Sequence, residues 1–360
     1  MTRVNKKHLV LQDLLNHCMD SNDLVKEFPK KHNFGNFFNI KNLDSKLPQA
    51  TNIKNNMKHS TPTISYTQPF IKWAGGKRAI LDSMLPFMPK HFNNYFEPFL
   101  GGGALFFVIK DSKISNTFLN TTKQIHLQDS KNIESKFFLN DKNTELINAY
   151  IIVRDNPNKL LELLKDFQNK HNKEFFYTIR NMDRSNDFKD LDSIFRAARF
   201  IYLNKTCFNG LCRYNSKGQF NTPLGSYKNP KIYDKDLILN ASFALKNTHI
   251  SNKDFENLES SITKNDFIYF DPPYYPLSKT SSFVSYIDNF TQDSQIRLFE
   301  LFKRLDSKGA KVLLSNSNTP FIKDLYKDYE IIELKAKRAI NCKGNGRGEI
   351  SELLIRGNYE

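Results

Sequence analysis

The sequence predicts an α/β fold: a mostly parallel sheet interrupted by a mainly helical insertion. Short apolar runs ending in turn residues recur at 95–99 and 137–141, then at 267–270, 311–314, 329–334 and 350–355, and helical patterns separate them. Between the two groups, residues 155–203 carry only helical periodicity, with Leu160, Leu161, Leu164 and Phe167 on one face and Lys and Asp on the other. Glycine- or proline-rich turns directly follow two of the apolar runs, where open α/β sheets place their ligands.

The bulk numbers bound this reading. A chain of 360 residues can hold one large domain with a substantial core plus a smaller second one. Apolar residues make up 39%, with 31 Phe and 15 Tyr, so the chain is globular in composition. No run approaches the roughly 18 apolar residues that a membrane span requires, and no membrane partner is expected. Residues 1–20 carry basic residues and a short apolar patch, but lack a small-residue cleavage site and include Asp13, which disfavours a signal peptide. Cys18, Cys207, Cys212 and Cys342 are scattered, which argues against a disulfide framework, and no paired Cys or His set stands at metal-ligand spacing. Reduced thiols in a cytoplasmic, metal-free protein are the expectation. The net charge of +15, from 53 Lys and Arg against 38 Asp and Glu, favours a polyanionic partner. Lys- and Asn-rich composition can also arise from a biased genome, so charge alone does not identify the partner.

In chain order, residues 1–65 read as a flexible extension. A short amphipathic helix over 9–25 precedes a Lys-, Asn- and Ser-rich linker at 41–60. Phe70-Ile71-Lys72-Trp73-Ala74-Gly75-Gly76-Lys77-Arg78 is a glycine turn, followed by a helical stretch at 79–87. The run at 95–99 enters Leu100-Gly101-Gly102-Gly103 and an apolar helix start at 104–109. Residues 111–136 are polar and read as a surface loop. The run at 137–141 ends in an acid, and a helix is expected over 144–153. Residues 204–227, rich in Asn, Gly, Arg and aromatics, suggest a hairpin or long loop. Residues 292–305 make a good amphipathic helix.

Several of these segments suit chemistry. Asp271-Pro272-Pro273-Tyr274 follows an apolar run. Two prolines remove two donors and leave carbonyls that accept. An acid, a rigid acceptor turn and an aromatic suit an exocyclic amine on a planar ring: Asp271 and the Pro272 carbonyl would accept its hydrogens while Tyr274 stacks. Such a turn is otherwise just a strand end. In Phe96-Glu97-Pro98-Phe99-Leu100-Gly101-Gly102-Gly103, glycines after a strand allow close approach of a ligand. Neither a phosphate-gripping loop nor the dinucleotide fingerprint fits, so a nucleoside-like cofactor without a phosphate tail fits better. Asp141 suits ribose hydroxyls, though a lone acid there also suits a helix N-cap. Lys77 could touch a cofactor carboxylate. Phe208, Asn209, Leu211, Arg213, Tyr214 and Asn215 interleave wedge, amide and cation, as base reading requires, but a solvated basic hairpin has the same composition.

Taken together and in this order, the segments resemble the Dam-type (α-group) adenine-N6 DNA methyltransferases, from about Gln68 to the C-terminus. Asn221-Thr222-Pro223-Leu224-Gly225-Ser226-Tyr227-Lys228 and Leu314-Ser315-Asn316-Ser317 resemble in particular the GATC methylases of restriction–modification systems. The resemblance implies a Rossmann-like methyltransferase sheet with an inserted mainly helical DNA-recognition domain. Its boundaries would be a catalytic domain at 66–150 and 246–360 and a target-recognition domain at 151–245. It implies S-adenosylmethionine as methyl donor, contacted by Trp73, Lys77, Asp141 and Asp271, with Asp254 and Phe255 bordering its adenine and Glu97, Gly101 and Gly103 in its turn. It implies duplex DNA as substrate, with Phe208 as wedge, Asn209, Leu211, Arg213 and Asn215 at the bases, and the target adenine flipped out. A cognate restriction endonuclease encoded nearby, without a stable complex, would be its companion. Methylation of cytosine N4 or an RNA base is the alternative within the enzyme class. A non-catalytic DNA-binding protein of the same fold is the alternative outside it. The long stretch 111–136 and residues 1–65 depart from the family pattern.

Overall fold

The computed structural model describes residues 67–111, 135–277, 290–337 and 349–359. The expected N-terminal extension at 1–65, with its helix and linker, lies outside them, as does nearly all of the polar stretch 111–136. The described chain builds a seven-stranded sheet from β1 (Tyr95–Glu97), β2 (Phe137–Asn140), β3 (Thr248–Ser251), β4 (Phe267–Phe270), β5 (Lys311–Ser317), β6 (Glu330–Lys337) and β7 (Glu349–Arg356). Its order is β3-β2-β1-β4-β5-β7-β6. The first five positions pair in parallel, and β7 runs antiparallel to both of its neighbours. The expected α/β, Rossmann-like architecture is the one observed.

Burial explains the central strands. All four residues of β4 are buried, because helices cover both faces, and the strand therefore reads as a continuous apolar run. Phe267 and Tyr269 enter one core with Tyr95 and Phe137, and Ile268 and Phe270 enter the other with Phe96 and Leu314. β3 has no counterpart among the apolar runs of the sequence. It is an edge strand paired only with β2, and its Thr-His-Ile-Ser sequence has a single aliphatic residue. The expected helix at 79–87 is broken into α1 (Leu81–Met84) between two 3-10 turns. Pro86 has no N–H with which to continue the α-helical hydrogen-bond ladder.

The other helices are α2 (Ala104–Lys110), α3 (Thr144–Asp155), α4 (Pro157–Lys170), α5 (Lys173–Asn181), α6 (Ser193–Thr206), α7 (Lys235–Leu245), α8 (Gln292–Ser307) and α9 (Pro320–Leu325). Their starts are chemically marked. Asn143, Asn172, Asp192, Asp234, Thr291 and Thr319 each cap the helix that follows by accepting a first-turn N–H. The boundary expected at residue 151 falls inside α3, which is continuous to Asp155 and ends where Asn156-Pro157 starts α4. The helical insertion shares its core with one face of the sheet: Leu164, Phe176 and Tyr202 belong to the same cluster as Tyr95, Phe137 and Phe267.

Strand order reverses between β1 and β4. The chain leaves β1 toward β2 on one side, and β4 begins the strands laid down on the other. The crevice beyond the carboxyl ends of these two strands is where open α/β sheets bind ligands. Both motif-bearing turns, after Glu97 and after Phe270, emerge there.

Candidate active site

Asp271 leaves β4 into a charged cluster. Lys77 Nζ lies 2.7 Å from Asp271 Oδ1 and donates to the Gly75 carbonyl at 2.6 Å. The ammonium also stands 4.7 Å from the centre of the Tyr274 ring. The Tyr274 hydroxyl donates to Glu352 Oε2 at 2.8 Å, and Lys77 is 3.9 Å from the same oxygen. Lys77 is only 3% exposed, so this is a sheltered ion pair in which the sequence-distant turns at 75–77 and 271–274 are locked together. Burial pushes the Asp271 carboxyl up to about 6, and Lys77 opposes that rise. The Tyr274 phenol is held well above its ordinary value by burial and by the negative charge of Asp271 and Glu352.

The two prolines are not left to stiffness alone. Gln295 of α8 donates from Nε2 to the Pro273 carbonyl at 2.9 Å, and its Oε1 accepts from Asn316 Nδ2 at 3.0 Å. Asn316 Oδ1 accepts from the Tyr275 N–H at 3.1 Å, and Ser317 Oγ donates to the Tyr275 carbonyl at 2.6 Å. Gln295 and Asn316 are fully buried, so the turn rests on a dry amide relay from α8 and the end of β5.

Beside this turn lies a cavity of about 210 Å³. Its walls include Phe99, Asp141, Asp254, Phe255, Pro273 and Phe290. Asp141 Oδ2 accepts the Gly101 N–H at 2.9 Å and Oδ1 accepts the Asn143 N–H at 2.9 Å. Burial pushes this carboxyl up to about 6 against those two bonds. Asp141 is not the N-cap of α3, a place held by Asn143; it ties down the turn before that helix and faces the cavity. Asp254 is bridged to Arg297, which also pairs with Glu256, so the one guanidinium at the rim is already neutralised. Phe255 and Phe99 meet at 5.3 Å between ring centres, forming an aromatic wall.

The remaining cofactor candidates stand beside the cavity rather than in its wall. Gly101 and Gly103 have φ of +48° and +64°, which glycine adopts without strain. A Cβ on Gly101 would come within 2.6 Å of Trp73 Nε1, and one on Gly103 within 2.9 Å of the Tyr150 hydroxyl. The bare backbone is therefore covered by Trp73 and Tyr150, and Tyr150 also donates to the Gly101 carbonyl at 3.1 Å. Glu97 is buried beneath the turn. It accepts from the Tyr95 hydroxyl at 2.9 Å and from the Phe106 N–H, and burial holds its carboxyl well above the ordinary range.

In the insertion, α6 runs through Thr206, and residues 207–227 form a compact hairpin with antiparallel bridges Tyr214↔Phe220 and Cys207↔Leu224. Phe208 is 40% exposed at the base of the hairpin, beside the Cys207↔Leu224 bridge and next to Asn209 in left-handed backbone. Arg213 is exposed and held by Asn221 Oδ1 at 2.8 Å. Leu211 is half-buried. Asn215 has both ends of its amide inside the hairpin turn, accepting from the Lys217 and Gln219 N–H groups and donating to Gln219 Oε1. Asn204 is fully buried and binds both the N–H and the carbonyl of Lys72, at 2.8 and 2.6 Å, together with the Gly210 carbonyl. The hairpin is thereby stitched to the segment that carries Trp73 and Lys77. Cys207 and Cys212 are buried free thiols. Among the described residues no group of three His, Cys, Asp or Glu suits a metal ion, and no helix is long and apolar enough to cross a membrane.

Three residues of the site do not stand out in the sequence: Glu352, Gln295 and Asn316. Glu352 is an acid set in the apolar strand Leu353-Leu354-Ile355, and Gln295 lies on the α8 face that carries Leu298, Leu301, Phe302 and Leu305. A polar residue on a buried face is the available signal in both cases. Asn316 lies within a quoted motif but without a role.

The family model for D12 class N6 adenine-specific DNA methyltransferases matches residues 73–340. The chain is 43% identical over 291 residues to a Type II methyltransferase, M1.LlaDCHI, of Lactococcus lactis subsp. cremoris, covering 80% of this chain and 94% of that one. It is 42% identical over 304 residues to the Type II methyltransferase M.MjaIII of Methanocaldococcus jannaschii, covering 80% and 98%. Its identity to the DNA adenine methylase of Escherichia coli K12 is 33% over 288 residues, covering 79% and 93%.

Proposed function

The chain belongs to the D12 class of N6 adenine-specific DNA methyltransferases, and from that premise we propose that it methylates adenine N6 within GATC in duplex DNA, with S-adenosylmethionine as donor, as the modification arm of a restriction–modification system. The observation that carries this reading is the meeting of Asp271, Lys77 and Tyr274 at the switch point of the sheet, with an acid- and aromatic-walled cavity alongside. The identities of 42–43% to Type II methyltransferases support the restriction–modification setting. GATC comes from the resemblance of the motif set.

The cavity fits a nucleoside. At about 210 Å³ it is smaller than the roughly 300–1,000 Å³ of whole-ligand pockets. Phe99 and Phe255 offer apolar faces, and Asp141 and Asp254 offer acceptors for ribose hydroxyls. Its rim arginine is already paired with Asp254 and Glu256, and Lys142 and Lys253 complete the wall. The bound donor supplies an electrophilic methyl group on a cationic sulfur. This chain's residues supply position and field. Asp271 and the Pro272 carbonyl accept the two hydrogens of the amine, which frees the nitrogen lone pair from the ring, and Tyr274 stacks on the base. Gln295 holds the Pro273 carbonyl, which leaves that of Pro272 for the substrate. Lys77 keeps Asp271 ionised and oriented. In residues 151–245, Phe208 wedges into the duplex, Arg213 reads base edges from its Asn221 brace, and Asn209 and Leu211 line the contact. Asn215 shapes the hairpin and contributes indirectly.

The test is transfer of a labelled methyl group to duplex DNA, followed by mapping of modified adenines. Wild-type protein labels adenine in GATC and Asp271→Ala labels nothing. Label on cytosine, or in RNA only, overturns the substrate; label at adenines of another sequence overturns GATC alone.

A further inference from the structure

Glu352 reaches the site because β7 is antiparallel. A residue near the start of β7 lies at the same end of the sheet as the carboxyl ends of β1 and β4, and Glu352 pairs in register with Ser317, the last residue of β5. The next three residues, Leu353, Leu354 and Ile355, are buried in the two cores, so the strand that carries Glu352 is fixed. An acid at such a place is costly unless it has partners. Its hydrogen-bonding partner in the site is the Tyr274 hydroxyl, at 2.8 Å. The Lys77 ammonium, at 3.9 Å, is beyond a direct hydrogen bond and already engages Asp271 at 2.7 Å.

We propose that Glu352 is a positioning residue for methyl transfer, which acts by gripping the Tyr274 hydroxyl and so fixing the plane of the ring against which the target adenine stacks. The inference rests on the reading of Tyr274 as the stacking residue. The ring would otherwise turn about its side-chain torsions. In the structure it is anchored at its hydroxyl by Glu352 and faced by Lys77 at 4.7 Å, so the protein occupies one end and one face. Stacking contributes to rate only where the base is held at the angle of attack, and a small misplacement costs much of it. The carboxylate adds a second effect: a phenol donating to an anion has a more electron-rich ring, which better supports the positive charge that grows on the adenine during transfer.

The experiment is a double-mutant cycle on the full-length protein, with Glu352→Ala, Tyr274→Phe and the pair together. It is read by single-turnover methylation of a duplex holding the site mapped for this enzyme, at saturating S-adenosylmethionine. Glu352→Ala and Tyr274→Phe are each expected to slow transfer by about ten-fold, and the double variant by no more than either, because both remove the same bond. Glu352→Gln, whose amide oxygen still accepts, recovers most of the loss. A duplex with 2-aminopurine at the target position fluoresces more brightly with Glu352→Ala than with wild type, since a loosened ring quenches the flipped base less. Tyr274→Phe deletes a single oxygen, so the bond is still tested should Glu352→Ala fold poorly. Losses that multiply in the double variant, or a Glu352→Ala rate equal to wild type, overturn the role of Glu352 while leaving the enzyme's chemistry standing. Wild type that methylates no adenine overturns the underlying reading, and this one with it.

Discussion

At the scale of single residues, the site is built around one cation among acids. Lys77 is the only ammonium in contact with Asp271 among the described residues, and Asp271 has to be ionised to accept from an amine. Burial puts its carboxyl at about 6, with Lys77 pulling the other way. The sign follows: the active form is lost as pH falls through about 6, so single-turnover rate at saturating donor should drop about ten-fold per unit below that point. Lys77→Met removes the lowering influence, and the acid limb should move to higher pH. An unmoved limb in Lys77→Met would show that something other than Asp271 sets it. Gly101 makes a second residue-scale prediction. Its φ is +48° and a Cβ would strike Trp73 at 2.6 Å, so Gly101→Ala should both strain the turn and displace the indole. We expect a loss of roughly 1–3 kcal/mol in unfolding free energy, together with weaker donor binding in a titration. An unchanged melting curve would mean that the turn relaxes freely.

At the scale of elements, the turn at Asp271–Tyr274 belongs to three of them: β4 supplies it, α8 and β5 hold it. The substitution Gln295→Glu separates the two halves of the amide. The new carboxylate can still accept from Asn316 but faces the Pro273 carbonyl without a proton to donate. Its folded-state pKa is therefore raised, and the stability it contributes is present at low pH and lost as pH rises through that value. The Gln295→Glu variant should thus melt below wild type at pH 8 and approach it toward pH 5, with transfer slowed at pH 8; equal melting at both values would sink the relay. The elements also show how much is legible in the sequence. The turns after β1 and β4 are readable because glycine and proline change what backbone can do, and six of the seven strands because each carries an apolar run. β3 is not, because its Thr-His-Ile-Ser sequence holds a single aliphatic residue. Gln295 and Glu352 are hidden for a related reason. Each is a polar residue inside an apolar pattern, and only the fold shows that Pro273 and Tyr274 stand opposite them. Glu97 is legible as part of its motif but not in direction: the strand turns it into the core, where Tyr95 meets it. Asn215 reads as facing the bases, and the hairpin turn takes its amide instead.

At the scale of the molecule, charge is divided by task. The chain as a whole carries +15, yet the cavity wall holds Asp141 and Asp254, and its rim arginine is matched by Asp254 and Glu256. A polyanion and a cationic nucleoside should therefore respond to salt to very different degrees. Each phosphate neutralised by Lys or Arg releases a counterion, and the logarithm of duplex affinity falls with the logarithm of salt by about 0.9 per contact. Donor binding exchanges few such counterions, and the acids of its cavity, Asp141 and Asp254, are buried or paired, so screening has little to act on there. Titrations of non-specific duplex and of S-adenosylmethionine between 50 and 200 mM salt should differ sharply: on the order of a thousand-fold loss for the duplex with some five or six phosphate contacts, and less than about two-fold for the donor. Arg213→Ala adds a control. An arginine braced toward base edges should weaken the cognate duplex and leave the salt slope nearly untouched, whereas one that grips phosphate would lower the slope by about one contact. A flat response of duplex binding would remove the backbone from the interface and, with it, the reason for so basic a chain.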